Sequence, residues 1–179
     1  MIKLTFLVFA LLPLAFLQEN SQRAIVKELF VPAPVEDVWL AWTTPEGITS
    51  FFAPACNVEL RIGCPYEILF YPDNPPGWRG AEDLKVLDFR EGEMLSIEWN
   101  SPPQWPEVRK HTMRVTVEFA PAEDSTKLTL THDGWREGKD WDEVYEYFQS
   151  AWDDVLGRLV QRFESGPIDW STAYSQDKQ

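Results

Sequence analysis

Two histidines and nine tryptophans are the residues of this chain whose chemistry points most directly to function. His111 and His132 are its two histidines among 179 residues. A histidine can act as an acid or base, bind a metal or orient a polar ligand group, because its pKa lies close to neutrality. Tryptophan offers a large apolar surface with one N–H donor, which suits the wall of a binding site.

Strand phase predicts that both histidines point inward. Residues 110–120 form a predicted strand in which Met113 and every second residue up to the end of the strand are apolar, and His111 shares their phase. His132 shares the inward phase of the next predicted strand, residues 127–132. Pairing of the two strands would place Met113 near His132, with His111 one diagonal step away.

The histidine pair leaves several chemistries open. The histidines could act as an acid–base pair, or they could bind a metal together with Asp133 or Asp140. The sequence shows neither an HExxH-type spacing nor a cysteine partner that would support such a site. We therefore predict no catalytic residues, no metal ligands and no cofactor. The sequence favours a role in which His111 and His132 set the polarity of a cavity mouth and orient the polar end of a ligand.

Four tryptophans are predicted to meet at one end of the domain. In an up-and-down meander every second loop lies at the same end, which groups the predicted loops 72–80, 100–109 and 133–139. These loops and the helix that follows them carry Trp78, Trp105, Trp135 and Trp141. The rings either stack on an apolar or flat ligand, or plug the end of the domain as ordinary core.

The predicted ligand-binding site combines these tryptophans with the residues that point inward. The inner aromatic residues would line a cavity if one persists, and would otherwise be core. The full set is Trp78, Trp99, Trp105, His111, Met113, His132, Trp135, Trp141, Tyr145, Phe148 and Trp152.

A long amphipathic helix over residues 140–164 is the element that must position this site. Its apolar side chains recur at three-and-four spacing and form one face. That face is aromatic over residues 141–152 and aliphatic over residues 155–163. We therefore predict that the first half roofs a cavity and that the second half packs on the sheet as core.

Upstream of this helix the pattern predicts one strand, two short helices and a six-stranded antiparallel meander. The first strand covers residues 24–31, prolines open a helix at 34–42, and a second helical piece ends near Phe52. The predicted meander strands are 57–61, 66–71, 81–89, 94–99, 110–120 and 127–132. The predicted fold class is α+β, with a curved sheet that grips the long helix.

This order of elements resembles the helix-grip fold of START-like (SRPBCC) and Bet v 1-like proteins, and in particular the branch named for the C-terminal domain of the Hsp90 ATPase activator. The resemblance is carried by residues 34–47, 86–89, 95–99 and 128–135, and by Tyr147, Phe148, Trp152, Leu156, Leu159 and Gly166. It covers residues 24–166 and implies a cavity between sheet and helix that binds a small hydrophobic molecule. This branch has no shared catalytic set that could be transferred here, and Gly63-Cys64 replaces its usual pair of glycines.

Three functions remain open. The favoured one is a binding domain, without catalysis, for a small hydrophobic or aromatic molecule. The second is a cyclase- or hydrolase-type enzyme that uses the same cavity with a histidine as general base. The third is a protein-interaction module of the Hsp90-activator type.

Charge and the N-terminal segment indicate partners and location. Sixteen basic and 29 acidic residues give a net charge of -13, which phosphate backbones and anionic headgroups repel, so we predict no nucleic-acid partner. Residues 1–23 are typical of a signal peptide with a polar spacer, because a basic start precedes the apolar run 4–17. We therefore expect export to the periplasm or outside the cell, without a stable membrane anchor; a cytoplasmic location is the alternative. Residues 167–179 are expected to form a flexible tail.

Cys56 and Cys64 could form a disulfide in an exported protein. The predicted hairpin argues against one, because it places Cys56 opposite about Leu69 and roughly 16 Å from Cys64. A disulfide requires Cα atoms within about 7 Å of each other. The sequence leaves the bridge and the oligomeric state open.

Overall fold

A computed structural model describes residues 23–173 of the chain, so the predicted signal peptide and the end of the predicted tail lie outside the described residues. The strands are β1 (Ile25–Val31), β2 (Ala55–Val58), β3 (Tyr66–Leu69), β4 (Gly80–Ala81), β5 (Val86–Arg90), β6 (Met94–Trp99), β7 (Met113–Ala122) and β8 (Ser125–Asp133). The helices are α1 (Val35–Thr43), α2 (Pro45–Phe51), α3 (Pro106–Arg109), α4 (Lys139–Ser165) and α5 (Trp170–Ala173). The predicted α+β class is confirmed.

The strands form two antiparallel sheets, where the sequence predicted one meander. The larger has the order β1-β8-β7-β6-β5, and the smaller has the order β2-β3-β4. The predicted strand 81–89 is interrupted because Asp83 has a φ of 61°, a left-handed conformation that does not continue a strand. An isolated bridge between Pro65 and Lys85 connects the two sheets at this point. The interruption places Glu82 in a loop beside the site described below.

The β7–β8 hairpin is longer than predicted. Its strands are joined by the two-residue turn 123–124, so His132 pairs with Val115, whereas the sequence predicted Met113. A shift by two residues leaves every side chain on its original face. The predicted inward orientation of His132 is therefore confirmed, and its side chain is fully buried.

The long helix α4 lies against one edge of the larger sheet and against α2. An ion pair of 2.7 Å joins Lys27 of β1 to Asp153 near the middle of α4. Arg158 donates a hydrogen bond from Nε to the carbonyl oxygen of Phe51, and Arg162 donates from Nε to the hydroxyl of Ser50. The second half of the helix is thus tied to α2 by two arginines. None of the helices within residues 23–173 is both long enough and apolar enough to cross a membrane.

The chain after α4 folds back onto α2. The Ile168 N–H donates to the carbonyl oxygen of Ser50 at 2.9 Å, and Trp170 Nε1 donates to the carbonyl oxygen of Thr49 at 2.6 Å. Residues 168–170 are thus docked on α2 through two hydrogen bonds.

The two cysteines are not bridged. Cys56 pairs with Ile68, one residue away from the predicted partner Leu69. The hairpin register that argued against a disulfide is thus correct to within one residue.

Candidate functional site

A pocket of about 550 Å³ opens between α4, the small sheet and two proline-rich loops. These loops are residues 70–79, between β3 and β4, and residues 100–105, between β6 and α3. The side of α4 that faces it consists of residues three or four positions apart, which share one flank of a helix. These residues are Tyr147, Phe148, Ala151, Trp152, Asp154, Val155 and Arg158. The opposite wall comes from the ends of β3 and β6, from β4 and from the loops that follow these strands.

Aromatic rings form the floor of the pocket. The ring of Phe52, at the end of α2, lies 6.0 Å from Phe70, 5.9 Å from Trp99 and 6.0 Å from Trp152. Trp99 and Trp152 are 5.2 Å apart, and Phe148 stacks on Trp152 at 6.2 Å. Close ring contacts of this kind fix the positions of the side chains. The floor is therefore a tightly packed apolar layer, in which Phe52, Trp99 and Trp152 are at most 2% exposed.

Three exposed rings surround the mouth. Tyr71 and Trp78 are 53% and 56% exposed, and Tyr147 across from them is 42% exposed. All three also line the pocket. Large apolar side chains grouped at the edge of a cavity are typical of binding sites, because they are covered only when a ligand is present.

Glu82 ties down the loop that carries Trp78. Its carboxylate is 3% exposed and accepts hydrogen bonds from the backbone N–H groups of Gly77 and Arg79 at 3.1 and 2.9 Å, and from Arg79 Nε at 2.7 Å. Burial raises the pKa of this carboxyl group, but the hydrogen bonds from Arg79 and Gly77 outweigh burial and lower the pKa. Glu82 is therefore ionised and holds the loop in place.

Arg109, at the end of α3, connects the two loops that frame the mouth. Its guanidinium group donates to the carbonyl oxygens of Gly80 at 2.8 Å and Ser101 at 2.5 Å, and to Asn100 Oδ1 at 3.3 Å. Asn100 in turn donates to the backbone carbonyl oxygen of Glu82 at 3.1 Å. Arg109 thus joins Gly80, at the start of β4, to Asn100 and Ser101 in the loop after β6.

His132 is close to the pocket floor but does not line the pocket. Its Nδ1 accepts a hydrogen bond of 3.1 Å from Trp152 Nε1, so the neutral ring carries its proton on Nε2. Trp135 and Phe148 pack on the ring at 4.4 and 4.9 Å. Burial lowers the pKa of His132 to about 3, so the side chain is uncharged at neutral pH. With its accepting nitrogen occupied and no solvent access, His132 lacks what a general base requires.

His111 does not have the predicted inward position. The short helix α3 ends at Arg109, and residues 110–112 form the turn that follows it, in which the His111 N–H donates to the carbonyl oxygen of Val108, so β7 begins only at Met113. His111 is therefore half-buried, with its ring 5.9 Å from that of Trp141 and its Nε2 3.3 Å from Arg136 Nη1. The prediction extended the phase of the strand through residues that are not in it.

The structure places the eleven predicted binding residues in two groups. Four of them line the pocket: Trp78, Trp99, Phe148 and Trp152. The other seven lie away from it: Trp105, His111, Met113, His132, Trp135, Trp141 and Tyr145. Within residues 23–173, no two of the four tryptophans predicted to converge form a ring pair with each other; Trp105 packs on Tyr147 at 5.6 Å, and Trp135 packs on Tyr145 at 5.0 Å.

Several pocket residues were absent from the prediction. They are Phe52, Phe70, Tyr71, Arg109, Tyr147, Ala151, Arg158 and Trp170, among others. Part of the signal was present in the sequence, since Tyr147, Ala151 and Arg158 follow a helical repeat beside the apolar stripe. The predicted site took only the aromatic residues of the helix's apolar face, so it omitted Ala151 and the residues beside that face that also line the pocket. Within residues 23–173, no group of three His, Cys, Asp or Glu side chains is placed to hold a metal ion.

An antiparallel sheet that grips a long C-terminal helix over an open pocket defines the helix-grip class. The chain belongs to the family described as Activator of Hsp90 ATPase homolog 1-like protein, which matches residues 32–164. The resemblance seen in the sequence is thereby confirmed. No curated protein matches the chain in sequence.

Solved structures show the same fold. Protein MLL2253 from Mesorhizobium loti is 24% identical, with 82% of this chain and 100% of that chain covered and a TM-score of 0.66. The Aha1 dimer from Colwellia psychrerythraea is 19% identical, with 80% and 98% covered and a TM-score of 0.62. CalU16 from Micromonospora echinospora is 22% identical, with 87% and 83% covered and a TM-score of 0.60. At these identities the likeness concerns the fold alone.

Proposed function

We propose that this protein binds a small hydrophobic or aromatic molecule in the pocket beneath α4 and catalyses no reaction on it. The observation that carries the proposal is the aromatic-floored space of about 550 Å³. Protein cores are close-packed, so an open pocket of this size between large side chains is distinct from ordinary core packing. The space is held open by Glu82 and Arg109, which fix the two loops at its mouth. Its volume falls within the range of small-molecule sites, about 300–1,000 Å³.

Affinity would come mainly from burial of apolar ligand surface. Each 100 Å² of apolar surface removed from water contributes about 2.5 kcal/mol before the entropic cost of binding. A ring placed against Phe70 or Tyr147, which line the pocket and keep exposed surface, would add an aromatic contact of about 0.5–1.5 kcal/mol. Trp78 and Tyr147 at the mouth would then cover the outer side of the ligand.

Filling the pocket tests this proposal. Ala151→Trp adds a large side chain on the α4 flank that lines the pocket, and leaves the charge unchanged. We expect the variant to lose at least about tenfold in affinity for phenyl-naphthylamine, a neutral dye whose fluorescence rises in apolar sites. Ser150→Trp is the matched control, because Ser150 is exposed on the same helix and does not line the pocket.

Two results would contradict the proposal. One is a dye affinity that Ala151→Trp and Ser150→Trp lower equally. The other is failure of the unmodified protein to bind the dye at all. Native mass spectrometry of protein purified from its own source is the complementary measurement, and a bound small molecule that Ala151→Trp excludes would identify the ligand.

We also propose that the chain is exported, on the basis of residues 1–23. N-terminal sequencing of the protein from fractionated cells tests this proposal. Export predicts a mature N-terminus near residues 18–24 in the periplasmic or extracellular fraction. Recovery from the cytosol with the apolar run 4–17 attached would contradict it.

A further inference from the structure

The lining of the pocket within residues 23–173 contains two arginines, Arg109 and Arg158, and one acidic residue, Asp154, although the chain as a whole carries a net charge of -13. Glu82 is paired at contact distance with Arg79, through a bond of 2.7 Å. Arg109 approaches the same carboxylate only to 3.9 Å. One carboxylate thus serves two guanidinium groups, and the other carboxylate that acts on Arg109 is that of Asp83, which is exposed to solvent.

Arg109 is the member of this group of side chains that lines the pocket. Its hydrogen bonds go to two backbone carbonyl oxygens and to an amide oxygen, all of which are neutral acceptors. These bonds hold the guanidinium plane in one place without neutralising it. Nε–H makes none of the hydrogen bonds found for Arg109 within residues 23–173, and a guanidinium group has five N–H donors.

The remaining charged groups of the lining do not reverse this imbalance. Arg158 lines the pocket from α4, where its Nε donates to the carbonyl oxygen of Phe51. Asp154 is the acidic residue among the lining residues within 23–173, and its side chain is exposed. A site with two arginines and one peripheral carboxylate above an aromatic floor attracts an anion at its mouth.

We propose that the ligand is an amphipathic molecule with a flat apolar body and one anionic oxygen group, such as a carboxylate or sulfonate, which binds beside Arg109. This inference rests on the proposed function and names the chemical class of the ligand. The apolar body lies above the aromatic floor, between Phe70 and the flank of α4 formed by Tyr147 and Ala151, and the anion accepts hydrogen bonds from the guanidinium group. A guanidinium group suits this role because its planar donors match the oxygens of such anions.

A pair of dyes tests the inference on the unmodified protein. Anilinonaphthalenesulfonate and phenyl-naphthylamine share one ring system and differ by the sulfonate group. We expect the sulfonate dye to bind about tenfold more tightly at low salt, and this advantage to shrink as salt rises from about 0.02 to about 0.5 M. The net charge of the chain opposes anion binding, so such a preference must come from local groups.

Variants assign the preference to Arg109. We expect Arg109→Gln to bring the affinity ratio of the two dyes close to one, and Arg109→Lys to retain part of the preference because it keeps the charge. Lys85→Gln is the control, since it removes one positive charge from an exposed residue outside the pocket lining. It should leave the ratio unchanged.

The outcomes separate this inference from the function on which it rests. Binding of both dyes with equal affinity, sensitive to Ala151→Trp, would overturn the anionic ligand and leave the apolar pocket intact. Binding of neither dye would overturn the proposed function itself. A sulfonate preference that survives Arg109→Gln would place the anion elsewhere and would overturn the assignment to Arg109.

Discussion

Phe148 and Trp152 separate two aromatic regions beneath α4 that differ in packing. On one side lies the packed region, in which Trp135 and Tyr145 pack together beside the buried ring of His132. Two of its buried donors bond within the region, since Trp135 Nε1 donates to the carbonyl oxygen of His132 and Trp152 Nε1 donates to its Nδ1, whereas His132 Nε2 has no hydrogen-bond partner among residues 23–173. This region has the close contacts of an ordinary core.

The other side is the hollow region, which is the pocket itself. Trp99 and Phe52 are buried in its floor, whereas Trp78 and Tyr147 are exposed at its mouth. Its charged groups are those of Arg109 in α3 and of Asp154 and Arg158 in α4. The same residue types therefore form core on one side of Trp152 and a binding surface on the other. Side-chain contacts make the difference, since His132 of β8 bonds to Trp152 in the packed region, whereas the α4 flank around Ala151 faces open space in the hollow region.

Replacing one tryptophan in each region should separate them most clearly. We expect Trp135→Ala to lower the free energy of unfolding by about 3–5 kcal/mol, because it leaves a cavity and removes a buried hydrogen bond. Trp78→Ala should change it by less than about 1 kcal/mol, because the ring is already 56% exposed. Urea denaturation of both variants measures the difference. Equal costs would mean that Trp78 is core and that the hollow region is not a preformed site.

The packed region should also respond to pH. His132 has a pKa of about 3 in the folded protein, whereas an unfolded histidine titrates near 6.5, so the unfolded chain takes up a proton that the folded chain does not. Stability is therefore lost as the pH falls from about 6.5 towards 3. We expect a loss of about 2 kcal/mol between pH 7 and pH 5, from urea denaturation at each pH.

The two histidines provide the control for this prediction. His132→Asn should largely remove the pH dependence between pH 7 and pH 5, whatever its effect on overall stability. His111→Asn, at a half-buried position, should preserve the dependence. If the pH dependence of the free energy of unfolding is lost in His111→Asn and kept in His132→Asn, then His132 is not held neutral by burial.

The comparison also shows what the sequence could predict. Strand β1, helix α1 and helix α4 were predicted to within one or two residues, because periodicity and proline placement are local signals. The two regions could not be told apart, because Trp135 and Trp78 both follow predicted strands at the same end. Whether a tryptophan packs in the core or lies at the mouth of the pocket depends on contacts between segments that are distant in sequence, and a single sequence does not reveal these contacts.

The site was missed where the backbone departs from regular structure. Asp83 interrupts a strand with a left-handed φ, and Glu82 beside it bonds back to Gly77 and Arg79. Neither residue type is diagnostic of such a turn. Arg109 was overlooked for a related reason, since its partners are carbonyl oxygens of loops that are distant in sequence.

The smallest effect that we predict concerns the outer wall of the hollow region. Trp170 lines the pocket from the docked segment after α4, and Arg158 lies 5.8 Å from its ring. Trp170→Ala should weaken binding of phenyl-naphthylamine about fivefold, equivalent to about 1 kcal/mol, because one apolar wall is lost. Dye titration followed by fluorescence measures this effect.

Trp170→Phe separates two roles of Trp170, contact of its ring with the ligand and docking of the segment after α4 by its hydrogen bond. Phenylalanine keeps an apolar ring but cannot donate the hydrogen bond that Trp170 Nε1 makes to the carbonyl oxygen of Thr49. If the ring itself forms part of the site, Trp170→Phe should keep most of the affinity that Trp170→Ala loses. If both variants weaken binding equally, the hydrogen bond that docks the segment matters more than the ring, and the hollow region ends at α4.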